Sequence, residues 1–115
     1  MAVQALTWVV PKSRQGVGKT HATFDIAGDG NYDVVLPALG GRSLSIGIEY
    51  TSGNFDVQAT LDTNDAIVGE TAAYVDVEQM TDIVASANYS ISDQPISGLR
   101  FVGTLTAAAT IKLMY

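Results

Sequence analysis

Cysteine is absent from the 115-residue chain, which excludes a disulfide scaffold, a thiolate nucleophile and any cysteine zinc site. A single histidine, His21, rules out multi-histidine metal sites. Charged side chains make up 16% of the residues, where roughly a quarter is usual. With a mean hydropathy of +0.20, so lightly charged a chain predicts that some apolar surface ends against a partner. Long apolar runs are missing too, and none approaches the roughly 20 residues that span a bilayer. The opening Met1 to Val10 has no charged leading region and no small-residue cleavage pattern, so no signal peptide is expected. The expectation is one soluble or assembled domain, made in the cytoplasm and not bound to membrane.

Basic residues are few and unevenly placed. Lys12, Arg14 and Lys19 precede residue 22 with no acid among them, giving residues 1–21 a charge of +3. The remainder sets Arg42, Arg100 and Lys112 against 12 acids, a balance of −9. Three cations beside one aromatic are too few for a nucleic-acid footprint, and the acidic body would repel phosphate. Residues 1–21 read either as a solvated, glycine-containing loop or as a basic strand and arm that docks on an acidic neighbouring subunit.

What is abundant is alternation with period two, the mark of half-buried strands. Leu44, Ile46, Ile48 and Tyr50 alternate with small or polar residues; Phe55, Val57, Ala59 and Leu61 do the same. Between them, Thr51-Ser52-Gly53-Asn54 predicts a hairpin, because Gly and Asn tolerate the positive φ of tight turns. Further strands are expected at Val3 to Val10, Thr20 to Ala27 and Tyr32 to Leu36. Others fall within Ala72 to Val77 and Asp82 to Ile91, and at Leu99 to Thr106 and Ala109 to Tyr115, with residues 62–69 as a polar loop. The predicted fold is all-β: a single-domain antiparallel β-sandwich or jelly-roll-like barrel of about 7–9 short strands over residues 22–115, preceded by the N-terminal arm. Gly47 and Gly103, inside strand patterns, are expected at bulges or close backbone approaches.

Chemical motifs do not close. Gly18-Lys19-Thr20 resembles the end of a phosphate-binding loop, but Ser13 stands where its first glycine belongs and a strand follows instead of a helix. Asp29-Gly30-Asn31-Tyr32-Asp33 begins like a calcium loop, but Val34 replaces the glycine at position six and Gly40 the glutamate at position twelve. These residues, like Asp62, Asn64 and Asp65, are expected to serve turns. Glu49, Asp56 and Glu78 form no recognisable catalytic pair, and no serine lies in a nucleophile elbow. No enzyme activity and no cofactor are expected. Trp8, Tyr32, Tyr74 and Tyr89 are candidates for contact surfaces, while Tyr50 and Tyr115 fall in register with core positions.

From Tyr32 to Tyr115 the order of patterns resembles the small β-sandwich proteins of tailed-bacteriophage virions. It runs Val-Val-Leu-Pro-Ala-Leu-Gly-Gly, Leu-Ser-Ile-Gly-Ile-Glu-Tyr, Phe-Asp-Val-Gln-Ala-Thr-Leu-Asp and Ile-Ser-Gly-Leu-Arg-Phe-Val, before a last strand of small and apolar residues. The resemblance implies a non-enzymatic virion protein of the capsid decoration or cement type. It implies self-association and a major capsid protein or other virion protein as partner. Arg100 falls where that pattern has its basic residue. With Trp8, Lys12, Arg14 and Lys19 it makes the expected partner-binding set. The alternative is a carbohydrate- or receptor-binding sandwich module of a tail fibre or secreted protein, which would display exposed aromatics; a small enzyme is the third and weakest reading.

Overall fold

The computed structural model describes residues 2–3, 8, 20–36, 43–91 and 96–115. Seven strands form one antiparallel sheet, apart from a short parallel pair, and the sheet curls on itself around a single core. They are β1 (Ala2–Val3), β2 (His21–Ala27), β3 (Gly30–Val35), β4 (Leu44–Thr60), β5 (Val75–Asp76), β6 (Ala87–Ile91) and β7 (Gly98–Met114). The all-β, single-domain expectation is met, but two strands are far from short: β4 and β7 are 17 residues each.

These two run antiparallel along their whole length, from Ser45↔Met114 to Thr60↔Gly98. On the other side of β7, β2 pairs with its second half and β3 with its first. β6 and β5 likewise pair with the first and second halves of β4. The sheet therefore has two halves, β2-β7-β4-β6 and β3-β7-β4-β5, with β1 parallel on the outer edge of β3. Folding one half over the other makes a sandwich from a continuous sheet.

The predicted hairpin at residues 51–54 is corrected. Gly53 does take positive φ, at 75°, but the chain bends there without reversing, because β7 accompanies it on both sides of the bend. Register shifts between Tyr50 and Ser52 and between Ser52 and Asn54 mark the irregularity. The irregularity has a packing consequence. Even-numbered Leu44, Ile46 and Ile48 face the core before it, and odd-numbered Phe55 and Val57 after it, so the parity changes while the buried face stays the same. The strands predicted at Leu99 to Thr106 and Ala109 to Tyr115 are likewise one strand, β7.

The fold line is built from glycine and tyrosine. Gly28 and Gly30 take φ of 101° and 138° at the step from β2 to β3, where a side chain would be strained. Opposite them, a Cβ on Gly103 would lie 2.8 Å from the Gly28 carbonyl oxygen, the close approach its place in the pattern predicts. Tyr32 donates its hydroxyl proton to the Gly28 carbonyl at 3.1 Å, and Tyr50 donates to the Gly53 carbonyl. Across the fold, Phe24 of one half meets Phe101 of the other edge-on, with centroids 5.3 Å apart. Fully buried Phe101 also meets Phe55 at 6.4 Å, which makes it the centre of the core.

The segment expected as a polar loop contains a one-turn helix, α1 (Asn64–Val68), whose first turn is capped by the Thr63 hydroxyl accepting from the Ala66 N–H. Its Ile67 is buried against the outer face of the sheet, where Gly98 makes room: a Cβ there would stand 2.7 Å from Ile67 Cδ1. The long expected strand from Val3 to Val10 is seen only as β1, and residues 4–7 and 9–10 lie outside the described residues. Residues Ala72 to Val77 and Asp82 to Ile91 yield the shorter strands β5 and β6.

Candidate functional site

The outer face of the β3-β7-β4-β5 half carries the molecule's most constrained polar group. Asp33 on β3 and Arg100 on β7 are direct cross-strand partners. Both point away from the main core, yet Asp33 is 0% exposed and the Arg100 side chain only 14%. The guanidinium grips the carboxylate with two bonds, Nε to Oδ1 at 2.7 Å and Nη2 to Oδ2 at 3.1 Å. Tyr74, from the segment after α1, lies over the guanidinium with its ring centroid 3.9 Å from Cζ. The hydrogen bond to Asp33 raises the Arg100 pKa above its already high value. Burial, reinforced by the Asp33 charge, raises the Tyr74 phenol above its ordinary value of 10.0. The Tyr74 hydroxyl is buried without a hydrogen-bond partner.

A second feature adjoins the first. Between β5 and the end of β4 runs an open groove whose lining includes Leu61, Asp62, Val75, Asp76, Val77 and Ile96. Leu61 is 70% exposed and Val75 73%, the two most exposed large apolar residues described. Leu61 was expected to continue the core face of its strand. Instead β4 ends at Thr60, whose carbonyl accepts from the Ser97 backbone and hydroxyl, and the chain turns outward. Thr60 itself is buried. Among the described residues β5 is paired on its β4 side alone, which leaves its other edge available for a further strand.

The segments that line this groove are acidic in sequence, with Arg100 as a neighbouring cation. Residues 43–99 contain nine acids, among them Asp62, Asp65, Glu70 and Asp76, and no Lys, Arg or His. Lys112 is already paired with Glu49, and Arg100 with Asp33. Of the acids near the groove, Asp62 accepts from the Ala73 N–H, Asp76 accepts from the Gln58 amide and Glu70 interacts with the Arg100 guanidinium; the excess of acids in this stretch of sequence favours basic partners.

The sequence-predicted contact residues fall apart in space. Trp8 is half-buried against the core and meets Tyr115 edge-on at 5.9 Å. Arg100 sits in the ion pair described above, at a different end of the topology. Lys12, Arg14 and Lys19 lie outside the described residues. Tyr89 packs against the core, Tyr32 fastens the fold line and Tyr74 covers Arg100, so these aromatics form no shared exposed platform. Asp33, read as part of a turn, is a buried ion-pair partner instead. Among the described residues no three histidine, aspartate or glutamate side chains converge as metal ligands. Neither a family model nor a curated protein sequence matches this chain.

Leu61 escaped sequence reading because alternation alone assigns it to a core face, and Val75 because the strand expected at Ala72 to Val77 fixes no face for it. The available signal was Asp62-Thr63-Asn64 directly after Leu61, which combines a helix cap with a strand stop.

Proposed function

We propose that the chain is a non-enzymatic structural protein that acts by assembly, as a capsid decoration or cement subunit of a tailed-bacteriophage virion. The observation that carries the assembly reading is the groove beside β5, where two exposed apolar side chains flank an open sheet edge within an acidic field. Such an edge can recruit backbone and apolar groups of a partner, while the field selects a basic one. The most constrained polar cluster, Asp33 with Arg100 and Tyr74, contributes rigidity to the face beside the groove. The virion setting rests on the resemblance of residues 32–115 to small phage sandwich proteins and on their order of strand patterns.

The test uses particles of the phage whose genome carries this sequence, stripped of the protein and reincubated with it. Co-sedimentation and a rise in the temperature at which the shell opens are expected. Replacing Lys12, Arg14 and Lys19 with serine lowers the bound fraction while the far-ultraviolet circular dichroism stays unchanged. Particles that neither bind the chain nor gain stability from it refute the proposal.

A further inference from the structure

Two complementary features lie apart on the sheet, one at the end of the central strand β7 and one beside the edge strand β5. At the C-terminal end of β7, Thr20 and Tyr115 exchange both backbone hydrogen bonds at 3.0 Å. Trp8 stacks edge-on against the same Tyr115 at 5.9 Å. Eleven residues, 9–19, lie between Trp8 and Thr20 in the sequence. This stretch holds Lys12, Arg14 and Lys19, no acid, and the apolar residues Val9, Val10 and Val17. Beside β5 lies the groove with exposed Leu61 and Val75 next to Asp62 and Asp76.

The two features match in kind. One offers valines and three cations; the other offers exposed aliphatic side chains, carboxylates and an unpaired strand edge. Half of the chain's basic residues lie in that one stretch, and none lies in residues 43–99, which include the groove lining. Because donor and acceptor are different patches, a single contact between them in separate molecules is head-to-tail, and repeating it yields a ring or an open array. That geometry suits a protein that covers a surface.

We propose that the β5 groove receives residues 9–19 of a second copy of this chain. The inference rests on the assembly reading above and names the partner of that site. Valines of the entering stretch cover Leu61 and Val75, and its cations approach Asp62 and Asp76. The contact is salt-sensitive, since screening shortens to about 3 Å at 1 M salt.

Sedimentation velocity of the full chain across concentration, at low and high salt, reads the self-association. Two variants reverse the two sides: Lys12→Glu/Arg14→Glu/Lys19→Glu changes the donor stretch, and Leu61→Lys/Val75→Lys puts cations at exposed groove positions. Unchanged circular dichroism and melting show that each variant folds. The wild type is expected to associate, with a dissociation constant on the order of tenfold weaker at high salt. Each variant alone sediments as a monomer, and an equimolar mixture of the two associates again, because the unaltered arm of the groove variant meets the unaltered groove of the arm variant. Wild-type association that survives either reversal, or a mixture that stays monomeric, overturns the groove assignment while leaving the assembly reading to the particle experiment. A wild type that stays monomeric at every concentration and salt also overturns the assignment, and binding to stripped particles then decides the assembly reading separately.

Discussion

Replacing Asp33 with asparagine removes one charge from a buried pair and almost no volume. Asp33 is 0% exposed and holds Arg100 by two bonds of 2.7 and 3.1 Å, so the substitution strands a guanidinium that is itself largely covered, partly by the Tyr74 ring. Breaking a buried pair from one side typically costs 3–5 kcal/mol. The residual 14% exposure of Arg100 lets it regain some hydration, which places the expected cost near the lower bound, at about 3 kcal/mol. A domain of 115 residues at roughly 2.1 cal/mol/K each has an unfolding entropy near 0.24 kcal/mol/K, so the melting temperature drops by about 12 °C. Urea unfolding followed by circular dichroism measures the free energy, and calorimetry the midpoint. Arg100→Met and the double variant complete a cycle that separates the pair's coupling from loss of packing. A loss below about 1 kcal/mol in Asp33→Asn, with coupling near zero, would refute the claim that this pair organises the outer face.

Other perturbations discriminate further features. Gly103→Ala places a methyl group 2.8 Å from the Gly28 carbonyl oxygen and is expected to cost about 1–3 kcal/mol in urea unfolding. Gly47→Ala meets only the Asn88 side-chain oxygen at 3.2 Å, on an exposed residue, and stays within about 0.5 kcal/mol of wild type. Tyr50→Phe removes the bond to the Gly53 carbonyl at the fold line and lowers stability by about 1 kcal/mol. Tyr74→Phe deletes a buried hydroxyl that has no partner and is expected to be neutral or slightly stabilising at pH 7. Because the folded Tyr74 pKa lies above its unfolded value near 10, the wild type keeps the corresponding stability below pH 10 and loses it as pH climbs toward the folded value. Tyr74→Phe removes that component of the alkaline decline, which stability curves at increasing pH measure directly.

The strands were legible because alternation is local; their connection was not. Gly53 and Asn54 announce a departure from regular backbone, and Gly53 takes positive φ as expected. Whether a chain then reverses or only bends depends on its neighbour, and β7 lies more than 40 residues away in sequence. The same limit applies to Asp33 and Arg100. Each alternates with apolar residues on its own strand, but only the register Asp33↔Arg100 turns two surface-like charges into one buried pair. The helix α1 was missed because a single turn needs no sustained 3.6 period, and Ile67 gains its burial from the space left by Gly98. Trp8 shows the converse. A lone aromatic beside a basic stretch suggested an outward contact, and the structure packs it against Tyr115. The groove could be read only once β4 was seen to stop at Thr60 and expose Leu61 beside Val75.

The proposed virion role is tested most directly by the composition of particles purified from the source that carries this gene. Quantitative mass spectrometry against an isotope-labelled standard gives the number of copies of the chain per copy of the major capsid protein. The account predicts a fixed ratio that persists through density-gradient purification, as for a subunit repeated over the shell. Absence of the chain from particles, or a trace that washes away, would contradict it.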